Sequence, residues 1–422
     1  MRRTHLLILL ALAGLAIVAY LPLIHQPLLE DDYPYIAQAR IHGPSHVLAD
    51  PVLRPRATFW MLTYLLDRFF GPAPLPFYVS TVVLHILCTW LVYALGAWRI
   101  VGWRVAAVAA AFFAVQEGHQ EAVMWYSATP QTFQFLFGVA TLVCWVRFIE
   151  SRGGRLLYAA ALGSFLLTFV SMETAPIVAV LLLLPLWSVD SKRRAALVWL
   201  WLPFAALAAV DAWLIVAASH GRDDRFSFHG PVWIALPFSY ARLLWIWGLL
   251  SLIAIGLLKS RQSRELILAA VAWIPLALLP YSFLTYMRFV PSRHTYLASL
   301  GLAWIVGAAF WAMYGRLHRY RRLVASAVLA GVLAANIGYL WTAKRRQYLR
   351  RAAPTEALVE LVRRTPGPIY MRCNGAPVER FVFECAVRVR TGKMPLVWDR
   401  GAARTAAAEF CWEREGQSKR SP

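Results

Sequence analysis

The chain is 422 residues long, 59% hydrophobic and 14% aromatic, with 15% charged residues and a mean hydropathy of +0.53. That composition excludes a soluble domain and fits an all-α polytopic membrane protein whose outer surface is solvated by lipid. The formal net charge of +21 would suit a nucleic-acid ligand, but the basic residues fall in short clusters between apolar runs, so nucleic acid is set aside and the clusters read as membrane topology.

Thr4 to Ile24 follows Arg2 and Arg3, is long enough to span, and is followed by no small-residue cleavage site, so it reads as a retained first helix. Further apolar runs lie near 76 to 97, 103 to 117, 130 to 149, 155 to 172, 174 to 188, 195 to 218, 239 to 258, 266 to 284, 296 to 314 and 323 to 342. Together they predict about eleven transmembrane helices, because a helix satisfies its backbone groups internally in lipid. Between the first two runs, residues 25 to 75 are too apolar for a linker. Tyr33, Ile36, Ala37 and Ile41 recur at helical spacing, as do Phe59, Leu62, Leu66 and Phe69, which predicts two short helices lying along the membrane surface. Residues 1 to 343 thus form a transmembrane domain and 344 to 422 a small mixed α/β tail. In that tail a helix is expected around Thr355 to Arg364 behind Pro354, a Pro-Gly break at 366 to 368, and strands near 369 to 372 and 395 to 398.

Alternate connections are basic: Arg2 and Arg3, Arg99 and Arg104, Arg147 with Arg152 and Arg155, Lys192 to Arg194, Lys259 with Arg261 and Arg264, and Arg316 to Arg322. The positive-inside rule makes these cytoplasmic and puts Glu30 to Asp32, Glu117 to Glu121, Glu173, Arg222 to Arg225 and Arg288 to His294 outside. An odd helix count sends the tail outside as well, whereas Lys344, Arg345, Arg346, Arg350 and Arg351 argue for the opposite side. Arginine far exceeds lysine, as in a GC-rich bacterial genome. Cys373, Cys385 and Cys411 in the tail permit one disulfide with one thiol left over, and Cys88 and Cys144 read as buried thiols; no metal-ligand spacing is present. No cofactor is required, and a divalent cation stays open.

The outer acids and arginines carry the chemistry. Near the headgroups, Asp31 or Asp32 can take a proton from an acceptor hydroxyl as it attacks an anomeric carbon, while Arg54 or Arg56 offsets charge on a departing phosphate. The competing structural roles are a cap and first-turn acid for the helix at Tyr33 and interfacial snorkelling of the arginines. His119 and Glu121, followed by Trp125, sit at a connection between spans, where they are metal ligands, an acid and base, or a solvated turn. Glu173 interrupts an apolar stretch, its plain alternative being a turn acid in water. Arg288, Arg293, His294 and Tyr296 open a late helix, where a held anion such as phosphate or an interfacial anchor would each fit.

These clusters occur in a recognisable order. The acids follow the first helix, then L-R-P at 53 to 55, P-F-Y-V-S-T-V-V-L-H-I-L-C-T-W-L-V-Y at 76 to 93, G-H-Q-E-A-V-M-W at 118 to 125, F-V-S-M-E-T-A-P at 169 to 176 and S-R-H-T-Y-L-A-S-L-G-L-A at 292 to 303. Over about residues 1 to 310 the chain resembles the GT-C superfamily of polyprenyl-phosphate-sugar-dependent glycosyltransferases. The resemblance is to bacterial relatives of the protein O-mannosyltransferases (family 39-like) and to the transmembrane O-mannosyltransferases that carry tetratricopeptide repeats. It implies a GT-C fold and an inverting transfer of a hexose or pentose from a polyprenyl-phosphate donor, such as undecaprenyl phosphate-sugar, to a periplasmic or surface acceptor. The enzyme would sit in the bacterial inner membrane among its lipids, with Asp31, or its neighbour Asp32, as base. Arg54, Arg293, His294 and Tyr296 would hold the donor phosphate, and His119, Glu121, Trp125 and Glu173 would shape the site.

The chain departs from the family pattern at Gln116-Glu117-Gly118, at Met172 and at Thr129-Pro130-Gln131, and no tetratricopeptide repeat follows. Two other classes compete. A secondary transporter or lipid flippase would show ionisable residues within spans, whereas here the acids sit at helix ends on one side and among them only Asp211 lies within a span. An O-antigen ligase or polymerase would show a large late loop, whereas loops 219 to 238 and 285 to 295 are short.

Overall fold

All eleven apolar runs are helical in the computed structural model, which describes residues 2–50, 53–151, 154–219, 230–258, 264–284, 289–316, 319–372 and 378–412. Among these residues six helices are long and apolar enough to cross a membrane. Val232–Leu244 and Trp247–Leu257 make a seventh as a pair bent by 71°, and Gly102–Val115, Arg155–Phe169, Ile177–Ser188 and Ser299–Gly315 are shorter apolar helices. The protein is a multi-pass membrane protein.

In chain order the helices are α1 Arg2–Tyr20, α2 Asp32–Ala49, α3 Ala57–Phe70, α4 Pro74–Ala94, α5 Gly102–Val115, α6 Gln120–Met124, α7 Thr129–Glu150, α8 Arg155–Phe169 and α9 Ile177–Leu181. They continue with α10 Ser191–Ser219, α11 Val232–Leu244, α12 Trp247–Leu257, α13 Arg264–Leu278, α14 Ser299–Arg316, α15 Arg319–Tyr339, α16 Arg345–Arg364 and α17 Arg380–Thr391. Local chemistry sets the breaks in the first loop. Gly43, at φ 66°, and Pro44 kink α2; α3 stops at Gly71, at φ 62°; and Pro74 opens α4, where a missing N–H costs nothing.

Two ends of the bundle differ in charge. At one, Arg99 donates through its backbone to Glu150 and through Nη2 to the Ser188 carbonyl, and Arg193 reaches the Ile149 carbonyl. At the other, residues 30–32, 54–56, 117–121, 171–174, 292–296 and 348–351 are tied together by the contacts described below. The cluster Lys344 to Arg351 therefore sits at the acidic end. Arg222 to Arg225, Lys259, Arg261, Arg288 and Cys373 lie outside the described residues.

The tail differs from expectation at its start. The helix does not begin behind Pro354; it runs from the last span through a π turn at Leu340–Lys344 and past the proline. Tyr348 and Ala352 are buried in the main core and Leu358, Val359 and Val362 in a second one, so burial along this face offsets the hydrogen bond that Pro354 removes. Strands β1 Ile369–Met371, β2 Leu396–Val397 and β3 Ala408–Phe410 form a parallel sheet in the order β2-β1-β3, with Ile369 opposite Leu396 and Ala408. Among the tail cysteines, Cys411 is disulfide-bonded and Cys385 is free.

The short helices α2 and α3 are covered on one face by the tail. Tyr33, Ile36 and Phe59 are fully buried against Leu358, Ile369, Val382 and Phe383 of the tail, while Ile41 and Phe69 stay exposed. Ion pairs border this second core: Arg40 grips Asp67 at 2.6 Å and donates to the Val389 carbonyl, and Arg390 donates to Glu356 at 2.9 Å and to the Tyr33 hydroxyl. First loop and tail thus fold as one layer over the acidic end.

Candidate active site

Asp31 and Asp32 are neighbours with opposite surroundings. Asp32 is 0% exposed: its Oδ2 accepts the Leu29 N–H at 2.8 Å, and its Oδ1 accepts the Ser127 N–H at 2.8 Å and the Ser127 hydroxyl at 2.5 Å. Burial still pushes its carboxyl up to about 7, against these three bonds. It closes the loop onto the segment between α6 and α7. Asp31 is exposed at the acidic end. Partial desolvation and the Glu30 carboxylate hold it above the usual carboxylate range, while Arg293 and Arg351 pull the other way.

The cations arrive from distant elements. Arg293 is fixed by the turn Ser292–Thr295, with its backbone N–H on Glu121 Oε2 at 3.0 Å and its guanidinium 3.8 Å from the same oxygen. Arg351 comes from α16 and forks onto Glu30, with Nε–Oε1 at 3.1 Å and Nη2–Oε2 at 2.7 Å. Both guanidiniums lie over the Trp125 ring, at 5.2 and 4.4 Å from its centroid, and the indole N–H is buried without a hydrogen-bond partner. Beneath them, Gln120 donates to Ser292 at 2.8 Å and accepts from Tyr348 at 2.5 Å. Arg293, Glu121 and Trp125, all expected from sequence, therefore meet, and Asp31 lies within the electrostatic reach of Arg293 and Arg351. Glu30, of the same outer acidic triplet, joins them through Arg351, while Ser127, Tyr348 and Arg351 were not expected at the site. The only sequence signal for Arg351 was a basic cluster that hydropathy assigns to topology.

Other expected residues lie elsewhere. Tyr296 is fully buried, its hydroxyl 2.6 Å from His85 Nδ1 in the bundle core. His119 is equally buried, with Nε2 2.7 Å from the Ser299 hydroxyl; desolvation and the nearby His85 keep it well below the usual imidazole range. His294 stacks on Tyr281 at 4.3 Å and meets the Gln131 amide at 3.1 Å, and desolvation with Arg293 and Arg56 holds it neutral. Glu173 is no free turn acid: it accepts Arg56 Nε at 2.7 Å, and Arg56 also donates to the Tyr35 hydroxyl. Arg54 lines a cavity of about 110 Å³ with Phe169, Val170, Leu214 and Asp211, whose Oδ2 is buried without a partner. Among the described residues, no three His, Cys, Asp or Glu side chains converge for a metal.

No family model matches the sequence, and no curated protein matches it. Solved structures do match in fold. Oligosaccharyltransferase AglB from Archaeoglobus fulgidus, in complex with an inhibitory peptide and a dolichol-phosphate, aligns over 95% of this chain and 65% of its own at 12% identity and a TM-score of 0.55. ArnT from Cupriavidus metallidurans bound to undecaprenyl phosphate aligns over 93% and 85% at 14% identity, TM-score 0.54. Arabinofuranosyltransferase AftD from Mycobacteria aligns over 94% and 32% at 16% identity, TM-score 0.52. The chain thus spans just under two thirds of the archaeal enzyme's length. All three are GT-C glycosyltransferases, and this chain has the GT-C fold.

Proposed function

We propose that this chain is an inverting glycosyltransferase of the bacterial inner membrane. It moves a sugar from a polyprenyl-phosphate donor to an acceptor hydroxyl on the extracytoplasmic side. The observation that carries the reading is the separation of roles within the acidic pair. Asp32 is consumed by three hydrogen bonds, leaving Asp31 as the exposed carboxylate facing Arg293.

Asp31 takes the acceptor proton as the acceptor oxygen bonds to the anomeric carbon; the bond from that carbon to the phosphate oxygen breaks, and the polyprenyl phosphate leaves with the electron pair. Attack on the face opposite the leaving phosphate inverts the centre. Arg293 offsets the charge on the departing phosphate, and the unpartnered Trp125 N–H is a further donor close by. A base held above the ordinary carboxylate range by partial desolvation and the Glu30 charge takes up a proton more readily. The fold shared with structures that hold dolichol-phosphate and undecaprenyl phosphate supports the donor class. The disulfide at Cys411, on a tail packed against α2 and α3, fits an oxidising compartment.

The test is transfer of radiolabelled sugar by purified protein in lipid nanodiscs, offered a panel of polyprenyl-phosphate hexoses and pentoses with membrane extract as acceptor source. Incorporation from at least one donor is expected. Incorporation from none, by protein whose spans and tail are intact, contradicts the proposal.

A further inference from the structure

Arg351 belongs to the helix that leaves the bundle for the tail, yet it ends beside the acidic loop. Its fork occupies both oxygens of Glu30, and its guanidinium lies over the rings of Trp125 and Tyr348, at 4.4 and 5.3 Å. A planar group bonded through two of its nitrogens and stacked on two rings has little freedom left. Glu30, the residue before Asp31, has φ 24°, a backbone conformation that a side chain with Cβ keeps when its neighbours hold it there.

The geometry points to Arg351 as a positioning residue for Asp31: it clamps the Glu30 turn and offsets the Glu30 charge beside the base, so that the tail helix completes the site. The inference rests on Asp31 being the base. The charges facing Asp31 are Glu30 from its own loop, Arg293 from the turn before α14, Arg351 from α16 and Glu379 at the start of α17, while Asp32, raised to about 7 by burial, holds its proton over the acid range. Two anions thus stand against two cations. Removing Arg351 takes away one cation and leaves Glu30 uncompensated, so Asp31 keeps its proton to higher pH and the acid limb of kcat/KM moves up. Removing the Glu30 charge moves it down.

The experiment titrates Asp31 by infrared spectroscopy of full-length protein in nanodiscs carrying ¹³C-labelled aspartate, with Asp31→Asn marking the band, and measures transfer across pH in parallel. Arg351→Gln should raise the Asp31 midpoint and lower kcat on the order of 10²-fold, the scale of a 1 Å misplacement, with the donor KM little changed. Glu30→Gln should lower the midpoint. Arg351→Lys should keep the midpoint near wild type but recover kcat only in part, because lysine lacks the fork. Arg364→Gln, on an exposed part of the same helix, should change neither. If Arg351→Gln does not fold, Glu30→Gln and Arg351→Lys carry the comparison. An unmoved midpoint and kcat in the Arg351 and Glu30 variants overturns the inference while leaving the enzyme reading intact. Moved midpoints in a protein that transfers no sugar keep the electrostatic link but end the claim that it serves a base.

Discussion

Asp32 places a pH-dependent strain in the loop that presents Asp31. Its folded carboxyl is raised to about 7 by burial, from about 4 in an unfolded chain, so folding takes up a proton between those values. Its contribution therefore falls as pH rises from about 4 to about 7, and is fully retained only below about 4. His119 and His294 run the other way: held below the imidazole range, they cost stability as pH falls below about 6.5. Subtracting Asp32→Asn from wild type isolates the carboxyl. Thermal unfolding between pH 5 and 8 should show wild type losing stability with rising pH relative to the variant, and parallel curves would exclude it. Near pH 5 the variant should itself be less stable by about 1–3 kcal/mol, because an amide cannot accept from both Leu29 and Ser127 without turning a donor onto one of them. Adjacent acids look alike in a sequence. What separates these two is a serine between α6 and α7 that no local pattern links to them.

Among the elements, the apolar runs were legible because each needs only its own composition: among the described residues all eleven are helical, and seven of them, counting the bent pair as one, are long and apolar enough to cross a membrane. How they pack was not. A Cβ at Gly307 in α14 would lie 2.7 Å from the Val105 carbonyl of α5, and one at Gly301 would lie 2.7 Å from the Ala270 carbonyl of α13. In sequence these glycines are two small residues in an apolar run, without a marked partner; in the fold they let backbones approach closely, the usual way helices associate in lipid. Gly307→Val should force α14 from α5 and destabilise the protein by about 1–3 kcal/mol, read as a lower unfolding temperature in detergent. Wild-type stability would show that the contact gives way. The short surface helices were also legible in position, but their cover was not, since Tyr33 and Phe59 find their partners in residues beyond 350.

At the scale of the molecule, the tail is a structural part of the acidic end. Its helix, sheet and first-loop partners share one core, and Arg351, Arg390 and Glu356 bind it to the turn around Asp31. The basic cluster at Lys344 to Arg351 therefore does not report the side on which the tail lies: part of it is taken up by Glu30 and the Trp125 ring. Cysteines placed at positions 31 and 345, in a background without other reactive thiols, should be labelled in intact cells by the same membrane-impermeant reagent; labelling of one alone would contradict the shared layer. The central claim is that Asp31 is the base and Asp32 its anchor. It is tested most directly by sugar transfer from the polyprenyl-phosphate donor that the wild-type protein uses, measured for Asp31→Asn and Asp32→Asn at equal amounts of folded protein. Asp31→Asn is predicted to lose about 10²–10⁴-fold in kcat while Asp32→Asn keeps most of its rate per folded molecule; full activity in Asp31→Asn, or the larger loss in Asp32→Asn, would contradict the account.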